Sequence, residues 1–65
     1  MNQELVATRK SCKLTQEEVA IEAKISTRHY RNIEAGTCKP NVETAISIAK
    51  ILGSTVETLF ANKRI

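Results

Sequence analysis

Helix start and stop signals punctuate this chain at short intervals and constrain its fold more than any other feature. The segment Thr15–Glu18 reads T-x-x-E, a capping box in which a hydroxyl and a carboxylate satisfy free amides at a helix start. Ser26 and Asn41 are further N-cap residues, and Gly36 and Gly53 suit the left-handed conformation that ends a helix. The apolar residues between these signals recur every three or four positions, without strand-like alternation. The pattern predicts an all-α fold.

The same signals divide the chain into five short helices. We expect them from about Asn2 to Ser11, from the Thr15 cap to about Ala23, from Thr27 to Ala35, over residues 42–52, and after a cap at Ser54 or Thr55.

Apolar spacing predicts the core of this bundle. The segment VETAISIAKIL at 42–52 is apolar around most of its circumference, so we expect the fourth helix to be central. The first and fifth helices turn these residues inward: Leu5, Thr8 or Arg9, Cys12, Val56, Leu59 and Phe60.

Size limits what the chain can do. Its 65 residues suffice for one domain, 1–65, with no second lobe to close a catalytic cleft. No nucleophile is paired with a base and no glycine-rich phosphate loop occurs, so we expect no enzyme activity, no cofactor and no small-molecule ligand. The N-terminus has no apolar signal core and no apolar run is long enough for a bilayer, so we expect a soluble, cytoplasmic protein without membrane contact.

The two cysteines do not form a metal-binding pattern. Cys12 and Cys38 lack C-x-x-C spacing, and His29 is the one histidine that could join them. In a reducing cytoplasm two free thiols are the default. We therefore expect no metal site.

Positive charge is concentrated around the third helix. From Lys24 to Lys39 there are four basic residues against Glu34 alone, so this segment has the same net charge as the whole chain, +3. A basic surface centred on one helix is typical of proteins that bind polyanions, although charge alone is equally compatible with an ordinary solvated face.

The third helix has an apolar side and a polar side. Tyr30 and Ile33 follow Ser26 at spacings of four and three and point to the core, together with Ile25 in the preceding turn. Arginine can bond guanine O6 and N7, and asparagine can bond adenine N6 and N7. We interpret the opposite face as a DNA-reading surface that consists of Thr27, Arg28, Arg31 and Asn32.

The ordered set of motifs resembles a known family. Three residues, Lys24 to Ser26, separate helices two and three, which is a helix-turn-helix spacing. The chain is similar over roughly residues 5–60 to the Cro/CI-type helix-turn-helix domain, also called the Xre family. The matching pieces are LTQEEVA at 14–20, IS at 25–26, YRNIEAG at 30–36, Pro40, VETAISIAKILG at 42–53 and TVETLF at 55–60.

This resemblance implies a compact five-helix, lambda-repressor-like domain that binds operator DNA with helix three in the major groove. Thr27, Arg28 and Asn32 match positions that read bases, and Arg31 lies between them within reach of a base or the backbone. Gln16 and Lys39 match positions that contact the DNA backbone. His29 could also contact a phosphate, although a half-buried position on the flank of the helix is the simpler interpretation.

Two positions depart from the family pattern. Lys24 stands where glycine is usual, so we expect a non-glycine residue with positive φ in the turn. Ala35 stands where a polar residue often reaches a phosphate, so that contact is expected to be missing.

Arg9 and Glu34 both point inward and match a family ion pair between helices one and three, which would satisfy two charges aimed at the core.

Four short neighbours can cover only part of the apolar fourth helix, and further apolar residues lie near the C-terminus. This leftover apolar surface predicts a homodimer on a palindromic operator. The expected interface residues lie on and after helix five: Val56, Leu59, Phe60 and Ile65. The sequence therefore indicates a transcriptional regulator, such as a phage or mobile-element repressor or a restriction–modification controller. The alternative is an antitoxin or protein-docking module with weak DNA binding.

Overall fold

A computed structural model describes residues 1–60 of the protein. Within this range the secondary structure consists of five α-helices and no strand. The helices are α1 Gln3–Ser11, α2 Gln16–Ala23, α3 Thr27–Ala35, α4 Val42–Ile51 and α5 Val56–Phe60. The all-α prediction is confirmed, and the helices begin and end close to the predicted positions. Ile65, one of the predicted interface residues, lies outside the described residues.

Side-chain caps begin each helix. In every case the cap oxygen accepts a hydrogen bond from the backbone N–H three residues later, at 2.8–3.1 Å. The cap residues are Asn2, Thr15, Ser26, Asn41 and Thr55. At Thr15 the capping box is complete, because its own N–H donates to Glu18 Oε1 at 2.8 Å. Each such cap contributes about 1 kcal/mol, a large share of the stability of helices this short.

Left-handed residues follow four of the five helices, and the one after α4 is Gly53, with φ of 67°. Lys24 has φ of 62°, as predicted for the turn after α2, and Gly36 has φ of 84° after α3. Lys13 also has a positive φ, 60°, in the turn that follows α1, which the sequence did not indicate. Because a side chain in this conformation costs about 1–2 kcal/mol, both lysine turns are held by the packing on either side.

The core lies where all five helices meet. Leu5, Val19, Tyr30 and Ile48 are fully buried, one from each of the first four helices. The α2 helix packs against both α3 and α4, and α5 packs against α1 and α4. Burial of each large apolar side chain is worth roughly 1.5–3 kcal/mol, so these four residues account for much of the driving force.

The position of Cys12 differs from the prediction. Its side chain is exposed rather than part of the inward stripe of α1. The helix ends at Ser11, so Cys12 is past the last regular turn, and only its Sγ approaches α4, 3.5 Å from the carbonyl oxygen of Leu52. The helical spacing that predicted an inward side chain therefore does not apply at Cys12.

The α4 helix is buried on one side only. Ala45, Ile48 and Ala49 face the core, but Val42 is 73% exposed and Ile46 is 42% exposed. The neighbouring helices cover only one side of α4. This uncovered apolar flank agrees with the expectation that four short neighbours would cover only part of the helix.

Leu59 belongs to the core of one chain. Its side chain is only 2% exposed, which confirms the predicted inward position but leaves no surface for the dimer contact that was also predicted. Val56 and Phe60, on the same helix, are partly buried against the core and retain some accessible surface. The helical spacing identified α5 residues that share a face, and this face is already covered by α1 and α4.

Asn2 joins three helices at the N-terminus. Its Oδ1 caps α1, its backbone N–H donates to the carbonyl oxygen of Glu34 at 2.8 Å, and its Nδ2 donates to the carbonyl oxygen of Leu59 at 2.7 Å. The ends of α3 and α5 are thereby tied to the start of α1. This arrangement fixes the C-terminal end of α3, which is the end away from the turn between α2 and α3.

Candidate nucleic-acid interface

The turn between α2 and α3 fixes the angle between these two helices. It consists of Lys24, Ile25 and Ser26, the three residues that the sequence predicted. The N–H of Ile25 donates to the carbonyl oxygen of Ala20 at 3.0 Å, and the Ile25 side chain packs against the core. Ala20 is fully buried and has only a methyl group, so the two helices can approach closely.

The α3 helix exposes one polar face. Tyr30 and Ile33 are buried at 0% and 2% exposure. On the other side of the helix Arg28, Arg31 and Asn32 are exposed, and Thr27 is half-buried in the first turn. The three exposed side chains offer two guanidinium groups and one amide, which are the groups best suited to hydrogen-bond with base edges and phosphates.

A groove runs from the start of α2 to α3. It has a volume of about 440 Å³ and is lined by Thr15, Gln16, Glu17, Thr27 and Arg31. The first amides of a helix have no carbonyl partner within the helix, so this end attracts anions. The groove therefore places the Arg31 guanidinium, two threonine hydroxyls and the first amides of α2 around a space that could take a phosphate, with the Glu17 carboxylate as the one anionic group of its lining.

A buried cluster of Arg9, Gln16, Tyr30 and Glu34, here called the Glu34 cluster, joins this groove to the core. Arg9 Nε donates to Glu34 Oε2 at 2.6 Å, and the Tyr30 hydroxyl donates to the same oxygen at 2.7 Å. Gln16 Nε2 donates to Glu34 Oε1 at 2.8 Å. Arg9 also donates through Nη1 to the carbonyl oxygen of Leu14 at 2.9 Å. The structure thus brings Arg9 and Glu34 together, as the sequence predicted.

The protonation states of the cluster follow from these bonds. Burial acts to raise the pKa of Glu34, but the hydrogen bonds from Arg9, Tyr30 and Gln16 outweigh it and the pKa is lowered. Burial and the bond to Glu34 raise the pKa of Tyr30. The hydrogen bond to Glu34 raises the pKa of Arg9 despite the opposing effect of burial. Glu34 is therefore a carboxylate and Arg9 a guanidinium at neutral pH.

Gln16 is the cluster residue nearest the groove. The sequence assigned it to the DNA backbone, and the structure shows one of its N–H groups on Glu34. Its second N–H and its Oε1 remain for another partner, since a primary amide has two donors and one acceptor oxygen. The contact with Glu34 was not predicted, because helical spacing gives no information on pairing between α2 and α3.

The loop after α3 is tied to that helix. Thr37 donates to the carbonyl oxygen of Asn32 from its N–H at 3.0 Å and from its hydroxyl at 3.2 Å. Lys39, two residues later, is exposed. His29 is half-buried, as the simpler reading of the sequence expected, and its Nδ1 lies 3.8 Å from Cys38 Sγ.

A family model described as helix-turn-helix matches residues 5–59, which include α2, the turn and α3. The chain belongs to the Cro/CI/Xre-type helix-turn-helix family. This family consists of DNA-binding regulators, and the five-helix arrangement is its lambda-repressor-like fold. No curated protein and no solved structure matched the chain at a significant level.

The structure also shows the two residues at which this chain departs from the family pattern. Lys24 has the left-handed backbone at the family's usual glycine position, and it is exposed. Ala35 is exposed at the last position of α3 and has no polar group with which to reach a phosphate.

Two further properties concern residues 1–60. No helix there is long and apolar enough to cross a membrane. No group of three or more His, Cys, Asp or Glu side chains in this range is arranged to hold a metal ion.

Proposed function

We propose that this helix-turn-helix protein is a sequence-specific transcriptional regulator that inserts α3 into the major groove of operator DNA. The observation on which the proposal rests is the division of α3 into two faces. Arg28, Arg31 and Asn32 are exposed, whereas Tyr30 and Ile33 on the opposite side anchor the helix in the core. A rigid helix with clustered donors can present them to base edges at little entropic cost.

Base reading is assigned to Thr27, Arg28, Arg31 and Asn32. The Arg28 guanidinium suits guanine O6 and N7, and the Asn32 amide suits adenine N6 and N7. Each bidentate pair of this kind discriminates against a wrong base by about 1–3 kcal/mol. Thr27 offers a hydroxyl and a methyl group at the start of α3, and Arg31 borders the groove to α2.

Backbone contacts are assigned to Gln16 and Lys39. Gln16 sits at the first position of α2, where the helix amides favour a phosphate, and its unused N–H can donate to the same anion. Lys39 is exposed in the loop after α3 and would meet the phosphates beyond the other end of that helix. His29 is half-buried and its Nδ1 faces Cys38, so its Nε2 is the nitrogen left to contact a phosphate.

A homodimer would supply the specificity that a single α3 helix lacks. Three or four base contacts cannot single out one operator in a genome, whereas two copies on a palindrome double the discrimination energy. Accessible apolar side chains on α4 and α5 provide a candidate interface, here called the α4–α5 surface: Val42, Ile46, Val56 and Phe60. The two α3 helices would then lie about 34 Å apart, one turn of DNA.

The dimer is tested by sedimentation of the wild type and of Ile46→Glu, which places a charge on an exposed position and leaves the core intact. The expected result is a dimer for the wild type, with or without operator DNA, and a folded monomer for the variant. A wild type that remains monomeric at micromolar concentration on and off DNA would contradict the dimer.

DNA binding itself is tested by gel-shift with random-sequence DNA across a salt series. Wild type should bind with a steep salt dependence, and Lys39→Ala should reduce the slope of log K against log salt by about one unit. Lys50→Ala is the matched control, because Lys50 is an exposed cation on α4. No shift at low salt would favour a protein-docking module instead.

A further inference from the structure

Cys38 is placed differently from the other cysteine. Its Sγ lies 3.8 Å from His29 Nδ1, within hydrogen-bond range for sulfur, and 3.7 Å from the carbonyl oxygen of Lys39. The Sγ of Cys12 instead lies 3.5 Å from the carbonyl oxygen of Leu52. A thiol within hydrogen-bond reach of a base is the arrangement of an activated nucleophile.

The same thiol lines an apolar groove. The groove has a volume of about 720 Å³ and runs between the N-terminus, the loop after α3, and α5. Its walls include Met1, Cys38, Pro40, Val42, Val56 and Phe60. A concave, mostly apolar site of this size can hold a small organic molecule. Cys38 is the residue that these observations share, because it lines the groove and contacts His29, which is not itself one of the groove's walls.

We propose that Cys38 is a covalent modification site for an apolar α,β-unsaturated carbonyl compound, and that the adduct weakens the DNA binding proposed above. The regulatory half of this inference rests on the proposed function, and the whole departs from the expectation of no small-molecule ligand. The groove would hold the apolar body of the compound with its alkene against Cys38 Sγ, while His29 takes the thiol proton.

The reaction is a conjugate addition. The sulfur electron pair attacks the β-carbon of the alkene, and the π electrons of the double bond move onto the α-carbon and carbonyl oxygen as an enolate. The proton that His29 accepted from the thiol is then delivered to the α-carbon. One S–C bond and one C–H bond form, the S–H bond and one π bond are lost, and no leaving group or oxidant is required.

The adduct would act at two places. Cys38 precedes Lys39, which is assigned to the DNA backbone, so a bulky group on sulfur displaces the loop that presents this cation. The groove also includes Val42, Val56 and Phe60 from the α4–α5 surface, so an occupied groove opposes the proposed dimer. Both effects reduce affinity for the operator.

The two cysteines of one chain allow a direct test of reactivity. Native protein is treated with limiting N-methylmaleimide or N-phenylmaleimide, which are small and bulky conjugated alkenes, and the two thiols are followed by peptide mass spectrometry. Cys12 is exposed and Cys38 is half-buried, so exposure alone predicts faster labelling of Cys12. We expect the reverse, with Cys38 at least about tenfold faster because of the adjacent base.

Three comparisons sharpen this test. The preference for Cys38 should increase from the methyl to the phenyl reagent, should fall in His29→Gln with no change at Cys12, and should vanish in concentrated urea. Circular dichroism of His29→Gln verifies that the variant is folded. Equal or faster labelling of native Cys12 would overturn the proposed site.

The effect on DNA is measured in gel-shifts after treatment with N-phenylmaleimide. Cys12→Ser should lose affinity for DNA when treated, and Cys38→Ser should keep it. Rapid labelling of Cys38 without any loss of DNA binding would overturn the regulatory half. If untreated protein binds no DNA, the proposed function has failed, and the labelling rates alone still decide whether Cys38 is the reactive site.

Discussion

Glu34→Ala is the substitution that should most damage the folded state. The carboxylate is 4% exposed and accepts hydrogen bonds from Arg9, Gln16 and Tyr30 at 2.6–2.8 Å. Its removal leaves the Arg9 guanidinium without a counter-charge and the Tyr30 hydroxyl without its acceptor at the junction of α1, α2 and α3. Loss of one partner of a buried ion pair costs about 3–5 kcal/mol.

That cost is comparable with the stability of the whole chain. Domains are stable by roughly 0.05–0.15 kcal/mol per residue, which gives about 3–10 kcal/mol for a chain of this length. Glu34→Ala should therefore be largely unfolded or close to it at 25 °C. Glu34→Gln keeps the volume and one acceptor oxygen, so a smaller loss of stability is expected and the variant should remain folded.

The assay is urea unfolding followed by circular dichroism, with the free energy of unfolding extrapolated to water. Glu22→Ala is the control, because it removes an exposed carboxylate from α2 and should change stability by less than about 0.5 kcal/mol. Arg9→Ala combined with Glu34→Ala should lose less stability than the sum of the two single variants. A loss below about 1 kcal/mol for Glu34→Ala, the value of a surface ion pair, would refute the reasoning.

Two further predictions concern stability. Lys24→Gly should raise the melting temperature, because glycine adopts a left-handed backbone without the cost of about 1 kcal/mol that lysine has at φ of 62°. An unchanged or lower melting temperature would show that the lysine side chain stabilises the fold by more than this cost. Stability should also fall as the pH drops below about 4.5, the ordinary pKa of a glutamic acid, because the lowered pKa of Glu34 means that its ionised form is favoured in the folded state. The contribution of Glu34 to stability is complete above its unfolded-state pKa and is lost as the pH falls through its folded-state pKa. In thermal melts from pH 7 to pH 2, the melting temperature of Glu34→Gln should therefore fall less steeply than that of the wild type. Identical slopes would contradict this prediction.

Local features of the fold were predictable from the sequence because their causes are local. The caps at Thr15, Ser26 and Asn41 depend on side chains three residues from the amides that they bind, and these bonds are present in the structure. The division of α3 into two faces depends only on helical spacing, so Tyr30 and Ile33 were correctly placed in the core.

Features that depend on packing between helices were harder to predict. Spacing identifies the residues that share a helix face but not what covers that face. Leu59 was therefore correctly placed inward but was also assigned to a dimer interface, for which its 2% exposure leaves no surface. The bond from Gln16 to Glu34 and the approach of His29 to Cys38 join residues on different segments. Only the tertiary structure places such pairs together.

DNA selection with wild type and Arg28→Ala tests the central claim most directly. Wild-type protein is used to select sites from a random duplex pool, and the affinities of both proteins are then measured on the selected site and on its single-base variants. A palindromic site should emerge, and Arg28→Ala should bind it about 1–3 kcal/mol more weakly per half-site, with discrimination lost at one base pair in each half. A pool without enriched sequences, or full affinity and unchanged base preference in Arg28→Ala, would contradict the assignment of α3 as the DNA-reading helix.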